Sequence, residues 1–306
     1  MKKCPLANFS SRIRTFFLAL RCKSYNLEVQ AVKNISYFLI NDFCVIILSI
    51  MAKVICVTNQ KGGVGKTTTA VNISFYLAKN KFRTLLIDFD PQGNATSGLG
   101  IDKNDKSLGT TMTDVLLGAS PLANVIRPTK YKNFSLAPAT PELANAEVEI
   151  TSQNKRFTRL RDAIKTVESS FDYIIIDSPP SLSLLTVNGM IASNYLLIPV
   201  QTEFYALEGV AQLLESMKLV MKQANPNLKL LGVVATMYDK RTSLSPQVFA
   251  EIKKYFKQLT FNTTIPRNVR VAEAPSHGVP VGAYDKFSKG SKAYKELTKE
   301  IIERIK

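Results

Sequence analysis

Residues Gln60-Lys61-Gly62-Gly63-Val64-Gly65-Lys66-Thr67-Thr68-Thr69 constrain this chain more than any other stretch. An apolar run over 53–58 leads into them, and Ala70, Ile73 and Leu77 follow at the spacing of one helical face. Strand, glycine loop and helix in that order form the setting of a phosphate-binding loop. Glycines let successive backbone N–H groups turn inward around a phosphate, and the helix N-terminus adds partial positive charge. Lys66 then reaches the outer phosphates and Thr67 offers a hydroxyl to Mg²⁺. The strict pattern asks for glycine where Gln60 stands, and a second lysine, Lys61, lies five residues before Lys66. A glycine turn with two solvated lysines is the plain alternative, and the flanking strand and helix argue against it.

Leu85-Leu-Ile-Asp-Phe-Asp-Pro-Gln-Gly-Asn-Ala-Thr96 places Asp88 and Asp90 at the end of a second apolar run. Carboxylates there reach the carboxyl edge of a parallel sheet, where α/β proteins bind ligands. Residues two apart on an extended chain point the same way, so one acid can set the site's charge while the other orients a water toward a phosphate. Two acids capping a turn is the alternative, and the phosphate loop makes it the weaker one. Tyr173-Ile-Ile-Ile-Asp177 is another apolar run ending in a carboxylate, suited to holding Mg²⁺ directly or through water.

Runs at 53–58, 84–88, 134–138, 173–177, 196–200 and 230–236 read as strands, with helical patterns at 66–79, 154–168, 184–193, 206–223, 247–257 and 291–306. The strands are nearly continuous Val, Ile and Leu, as strands buried on both faces should be. This alternation predicts an α/β fold, a predominantly parallel twisted sheet with helices on both faces. No Pro, Gly or Ser linker divides 51–306, which is expected to be one domain. Residues 1–50 differ: seven basic residues (Lys2, Lys3, Arg12, Arg14, Arg21, Lys23, Lys33) accompany two acids and short apolar clusters. Met51 opens directly onto the first strand, so 1–50 is expected to be an upstream-start artefact, the alternative being a basic N-terminal extension. Four cysteines, Cys4, Cys22, Cys44 and Cys56, have no metal-ligand spacing and form no disulfide framework, which points to a reducing compartment.

Lys61-Gly-Gly-Val-Gly-Lys-Thr67 resembles the deviant Walker A motif of the ParA/MinD class of P-loop ATPases. Asp-Pro-Gln-Gly-Asn-Ala-Thr-Ser-Gly-Leu-Gly from Asp90, Ile-Pro-Arg-Asn-Val-Arg from Ile265 and Glu-Ala-Pro-Ser-His-Gly from Glu273 extend the resemblance over 51–306, closest to the chromosomal ParA (Soj) branch. It implies a P-loop NTPase fold that uses ATP and Mg²⁺. Nucleotide contacts fall on Lys61, Gly62, Gly63, Val64, Gly65, Lys66, Thr67 and Thr68, with the base or ribose at Pro266, Asn268 and Met237. Thr67, Asp177 and Asp88 are implied for the metal, and Asp90 is the hydrolytic residue, with Asp88 secondary to it. Lys61 is implied to cross to a partner subunit's nucleotide and neutralise charge on its γ-phosphate, while 178–181 forms a switch. The wider implication is an ATP-dependent homodimer, cytoplasmic and nucleoid-associated, that binds double-stranded DNA without sequence preference and is stimulated by a ParB-type centromere-binding protein. His277 is expected to be structural.

A net charge of +16 suggests polyanion partners without choosing among them. Between 240 and 270, Lys240, Arg241, Lys253, Lys254, Lys257, Arg267 and Arg270 face one acid, Glu251, an excess suited to DNA phosphates. Arg241, Lys253, Lys254 and Arg270 are the candidate DNA contacts, against the alternative of a solvated basic face. A MinD-like membrane cycle is disfavoured because 291–306 reads as a packing helix without an apolar aromatic. A cluster-bearing reductase is excluded by Cys56 standing alone after Met51. A ParA-like positioner of plasmid or protein cargo uses the same chemistry and stays open.

Overall fold

The computed structural model describes residues 51–306, so the reading of 1–50 as an upstream start or basic extension lies outside the described residues. Its organising element is a strand with no exposed residue, β5. The seven strands are β1 (Lys53–Val57), β2 (Thr84–Asp88), β3 (Arg127–Pro128), β4 (Phe134–Ala137), β5 (Tyr173–Asp177), β6 (Tyr195–Gln201) and β7 (Lys229–Thr236). They form one sheet in the order β3-β4-β2-β5-β1-β6-β7, and every pairing except that of β3 with β4 is parallel.

Alternation along each central strand explains why the sheet is covered on both faces. Ile174 and Ile176 enter one core with Val54 and Cys56, whereas Tyr173 and Ile175 enter the other with Ile55 and Val57. Truncating one such residue, Ile175→Ala for instance, costs about 2–5 kcal/mol. The helices are α1 (Lys66–Lys79), α2 (Asn94–Gly98), α3 (Met112–Leu117), α4 (Leu122–Val125), α5 (Leu143–Ile150), α6 (Arg159–Lys165), α7 (Leu184–Ala192), α8 (Glu208–Gln223), α9 (Leu244–Phe256), α10 (Val269–Glu273), α11 (Val281–Tyr284) and α12 (Lys289–Ile305). Helix α12 packs along α1, where the Thr69 and Tyr294 hydroxyls approach to 3.3 Å and those of Tyr76 and Ser291 to 2.7 Å.

The expected strands form within two residues of their bounds at either end. The two-residue β3 is too short to give a period and was not expected. The helix expected over 154–168 narrows to Arg159–Lys165. The one expected after Pro246 starts at Leu244, because Pro246 sits in the first turn, where its missing N–H has no helical partner to lose.

Candidate nucleotide site at the carboxyl edge of the sheet

The glycine loop closes on Gly65, whose φ of 85° is reached freely only without a Cβ. Gly65 is also the N-cap of α1, which starts with no side-chain cap and no acid in its first turn. The amides and positive end of that helix are therefore unclaimed by protein side chains. Neighbouring strands brace the loop. The Asn59 side chain accepts from the Lys61 N–H at 3.0 Å and donates to the Pro199 carbonyl at 2.7 Å. From the end of β7 the Thr236 hydroxyl donates to the Val64 carbonyl at 2.8 Å. Lys66 is buried and its Nζ donates to the Lys61 carbonyl at 3.0 Å, while the Lys61 Nζ meets Glu203 Oε2 at 3.3 Å.

Register brings the acids together. Asp88 pairs directly with Asp177 across β2 and β5, although 89 residues separate them (177 − 88). Asp88 is fully buried; its Oδ2 accepts from the Thr96 N–H and hydroxyl at 2.8 and 2.7 Å, and its Oδ1 from the Asp90 N–H at 3.3 Å. The sequence offered Asp88 as a metal ligand; the structure engages both its oxygens, one with Thr96 and the other with the Asp90 N–H. Asp90 is 5% exposed and accepts from the Gln92 N–H at 2.9 Å.

Asp177 is different. Both its oxygens are buried without a hydrogen-bond partner. Burial pushes its carboxyl well above the usual range and the neighbouring Asp88 adds to the shift, while the nearby Thr67 hydroxyl and Lys66 pull the other way. Burial also raises Asp88, to about 6, against the pull of the Thr96 bonds. Lys66 is lowered by burial, with Asp177 and Asp90 opposing. A desolvated carboxylate with idle oxygens near Lys66 suits a hard divalent cation that is bound through one or two carboxylates plus phosphate oxygens. Among the described residues no group of three or more His, Cys, Asp or Glu is placed to hold a metal ion. Cys56 lies in β1 with its thiol pushed up to about 12 by burial and by Asp177, and is inert there.

The two segments proposed for the base meet through the backbone. The Tyr238 N–H donates to the Ile265 carbonyl at 3.0 Å, and the Arg267 N–H to the Tyr238 carbonyl at 3.2 Å. Met237 just before this ladder has φ 51°, a left-handed conformation that costs a side-chain-bearing residue energy and recurs at ligand sites. The Asn268 Oδ1 is buried without a partner. Beside the start of α1, a cleft of about 420 Å³ is lined by Thr67, Thr68, Asn72, Asn94, Ser97 and Pro275, among others. The Glu-Ala-Pro-Ser-His-Gly segment closes against the end of α2, where a Cβ on Gly278 would lie 2.6 Å from the Gly100 Cα. His277 stacks on Tyr284 at 4.8 Å between ring centroids.

The candidate DNA contacts divide. Lys253 and Lys254 are exposed on α9, and neither is in an ion pair among the described residues. Arg241 is held by Asp239 at 2.7 Å and Arg270 by Glu273 at 3.0 Å. Both arginines lie on the surface, and each pair would have to open for its guanidinium to reach a phosphate. Among the described residues no helix is long and apolar enough to cross a membrane, and the apolar residues Leu297 and Ile301 of α12 are buried in the core.

Sequence reasoning missed four residues. Asn59 and Thr236 brace the loop, Thr96 fixes Asp88, and Glu203 holds Lys61. Asn59, Thr236 and Glu203 lie at or just beyond the carboxyl end of a strand, which was the available signal, whereas Thr96 lies in the short helix α2. Only the register shows which loop each one meets.

The AAA domain family matches residues 52–230. The chain is 50% identical over 251 residues to the sporulation initiation inhibitor protein Soj of Bacillus subtilis (strain 168), covering 82% of this chain and 98% of Soj. It is 48% identical to the chromosome partitioning protein ParA of Myxococcus xanthus (strain DK1622) over 254 residues, covering 83% and 89%. Among solved structures, cobyrinic acid a,c-diamide synthase from Mycobacterium smegmatis with bound ADP and magnesium is 35% identical, with a TM-score of 0.73 and coverage of 83% and 96%. The deviant glycine loop, the two strand-end acids and these relatives lead to one conclusion: the chain belongs to the Soj/ParA family of P-loop ATPases.

Proposed function

We propose that this protein is an Mg²⁺-dependent ATPase that dimerises on ATP, binds double-stranded DNA without sequence preference and partitions the chromosome with a ParB-type partner. The observation that carries the reading is Asp177, buried with two idle oxygens near Lys66 and the glycine loop. Similarity to the chromosome partitioning protein ParA of Myxococcus xanthus supports the partitioning role, and the related synthase structure with ADP and magnesium supports an adenine nucleotide and Mg²⁺.

The α1 amides and Lys66 hold the phosphates, and Thr67 with Asp177 would hold Mg²⁺. The ion supplies charge neutralisation at the phosphate oxygens. Asp90, on a turn fixed by Asp88, orients the attacking water. Pro266, Asn268 and Met237 receive the base or ribose. Lys61 leaves Glu203 and crosses to the partner's nucleotide; the pair it gives up is partly exposed and worth about 0–1 kcal/mol, so release is cheap. Hydrolysis is slow until the ParB-type partner stimulates it, and the DNA-bound dimer is nucleoid-associated in the cytoplasm. Lys253, Lys254, Arg241 and Arg270 contact DNA.

The test is retention on non-specific duplex DNA and on anionic liposomes with ATP, with ADP and without nucleotide, using Asp90→Ala to prevent turnover. ATP-dependent, salt-sensitive retention on DNA is expected. Retention on liposomes alone overturns the reading.

A further inference from the structure

The amino edge of the sheet, opposite the acids, carries a second recess. It has a volume of about 530 Å³, lies between the end of α1 and the turn before β4, and is walled by Lys79, Lys81, Lys130 and Lys132. Phe75 and Tyr131 also line it, packed edge to face at 5.0 Å, and no acid does. All four lysines are exposed and none is in an ion pair among the described residues. The negative end of α1 accounts for a cation at Lys79 and for no more than that. The others add like-charge repulsion that an anion would remove.

Two further features mark the recess as built. Lys81 on one wall and Asn133 on the other adopt left-handed backbone, φ 71° and 64°. The Asn133 carbonyl accepts from the Thr84 N–H at 2.9 Å, which ties the second wall to the first residue of β2. We propose that this recess binds a small polyphosphorylated anion of nucleotide size, at a site separate from the glycine loop. Its volume falls in the range of ligand pockets, about 300–1,000 Å³, and lysines line both of its walls.

The probe is tripolyphosphate, titrated calorimetrically into the full chain saturated with Mg-ADP in excess Mg²⁺, so that the glycine loop is already filled. One saturable event with Kd below about 1 mM is expected. In the double variant Lys130→Ala/Lys132→Ala it weakens at least about tenfold while ADP affinity is unchanged. Absence of saturation, or equal affinity in the double variant, overturns the proposal. A short duplex that binds the same state, displaces tripolyphosphate and loses as much in the double variant also overturns it, and makes the recess a DNA contact.

Discussion

Thr96 closes on Asp88 with two donors, its hydroxyl at 2.7 Å and its N–H at 2.8 Å, while the same hydroxyl oxygen accepts the Ala139 N–H at 3.0 Å. Thr96→Val deletes two of these bonds inside a buried site and should cost about 1–3 kcal/mol. Hydrogen bonds to a carboxylate favour its ionised form, and Asp88 ionises at about 6. The loss should therefore be larger at pH 8 than at pH 5, as measured by urea unfolding at both.

Asp177 carries a raised pKa in the folded chain, so its ionised form costs stability. That cost is absent below the unfolded carboxylate range and grows as pH rises through the folded value. Asp177→Asn should raise the melting temperature of the ligand-free protein at pH 8, with a gain that fades toward acid pH. The same variant should lose the stabilisation that Mg-ATP gives the wild type. Thermal melts with and without Mg-ATP across pH read both effects.

Lys66→Ala removes the buried cation of the glycine loop and should weaken ATP binding by about a hundredfold or more, about 3 kcal/mol. Calorimetry measures this, and unchanged affinity would remove Lys66 from the site.

Asp90→Ala should leave ATP binding and dimerisation intact while turnover falls by about 10²–10⁴-fold. Phosphate release together with light scattering separates the two. Wild-type turnover would exclude Asp90 as the residue that orients water.

Gly62 has ordinary backbone, and a Cβ there meets nothing within 4 Å in this subunit. Gly62→Val should fold and bind nucleotide normally yet stay monomeric with ATP, because the added side chain occupies space that the partner subunit needs. A sizing column reads the outcome directly.

The strands were legible because two-sided burial writes continuous Val and Ile runs, and the glycine loop because phosphate binding needs backbone amides at fixed spacing. Short helices such as α2 and α10 gave no sequence period, since one turn shows no repeat. The equivalence of Asp88 and Asp177 as acidic strand ends dissolved only with side-chain placement: one is spent on Thr96, the other is idle. The Lys61–Glu203 and Thr236–Val64 contacts join strands far apart in sequence, and a local pattern carries no signal for them.

Strand β5 lies between β1 and β2, so each of them pairs with β5 and neither pairs with the other. A chain emerging from the ribosome makes its glycine loop early but cannot place Asp177 against Asp88 until residue 177 is available. The two acids thus come together only through pairings far apart in sequence, whose loop-closure entropy must be met before the contacts reward it.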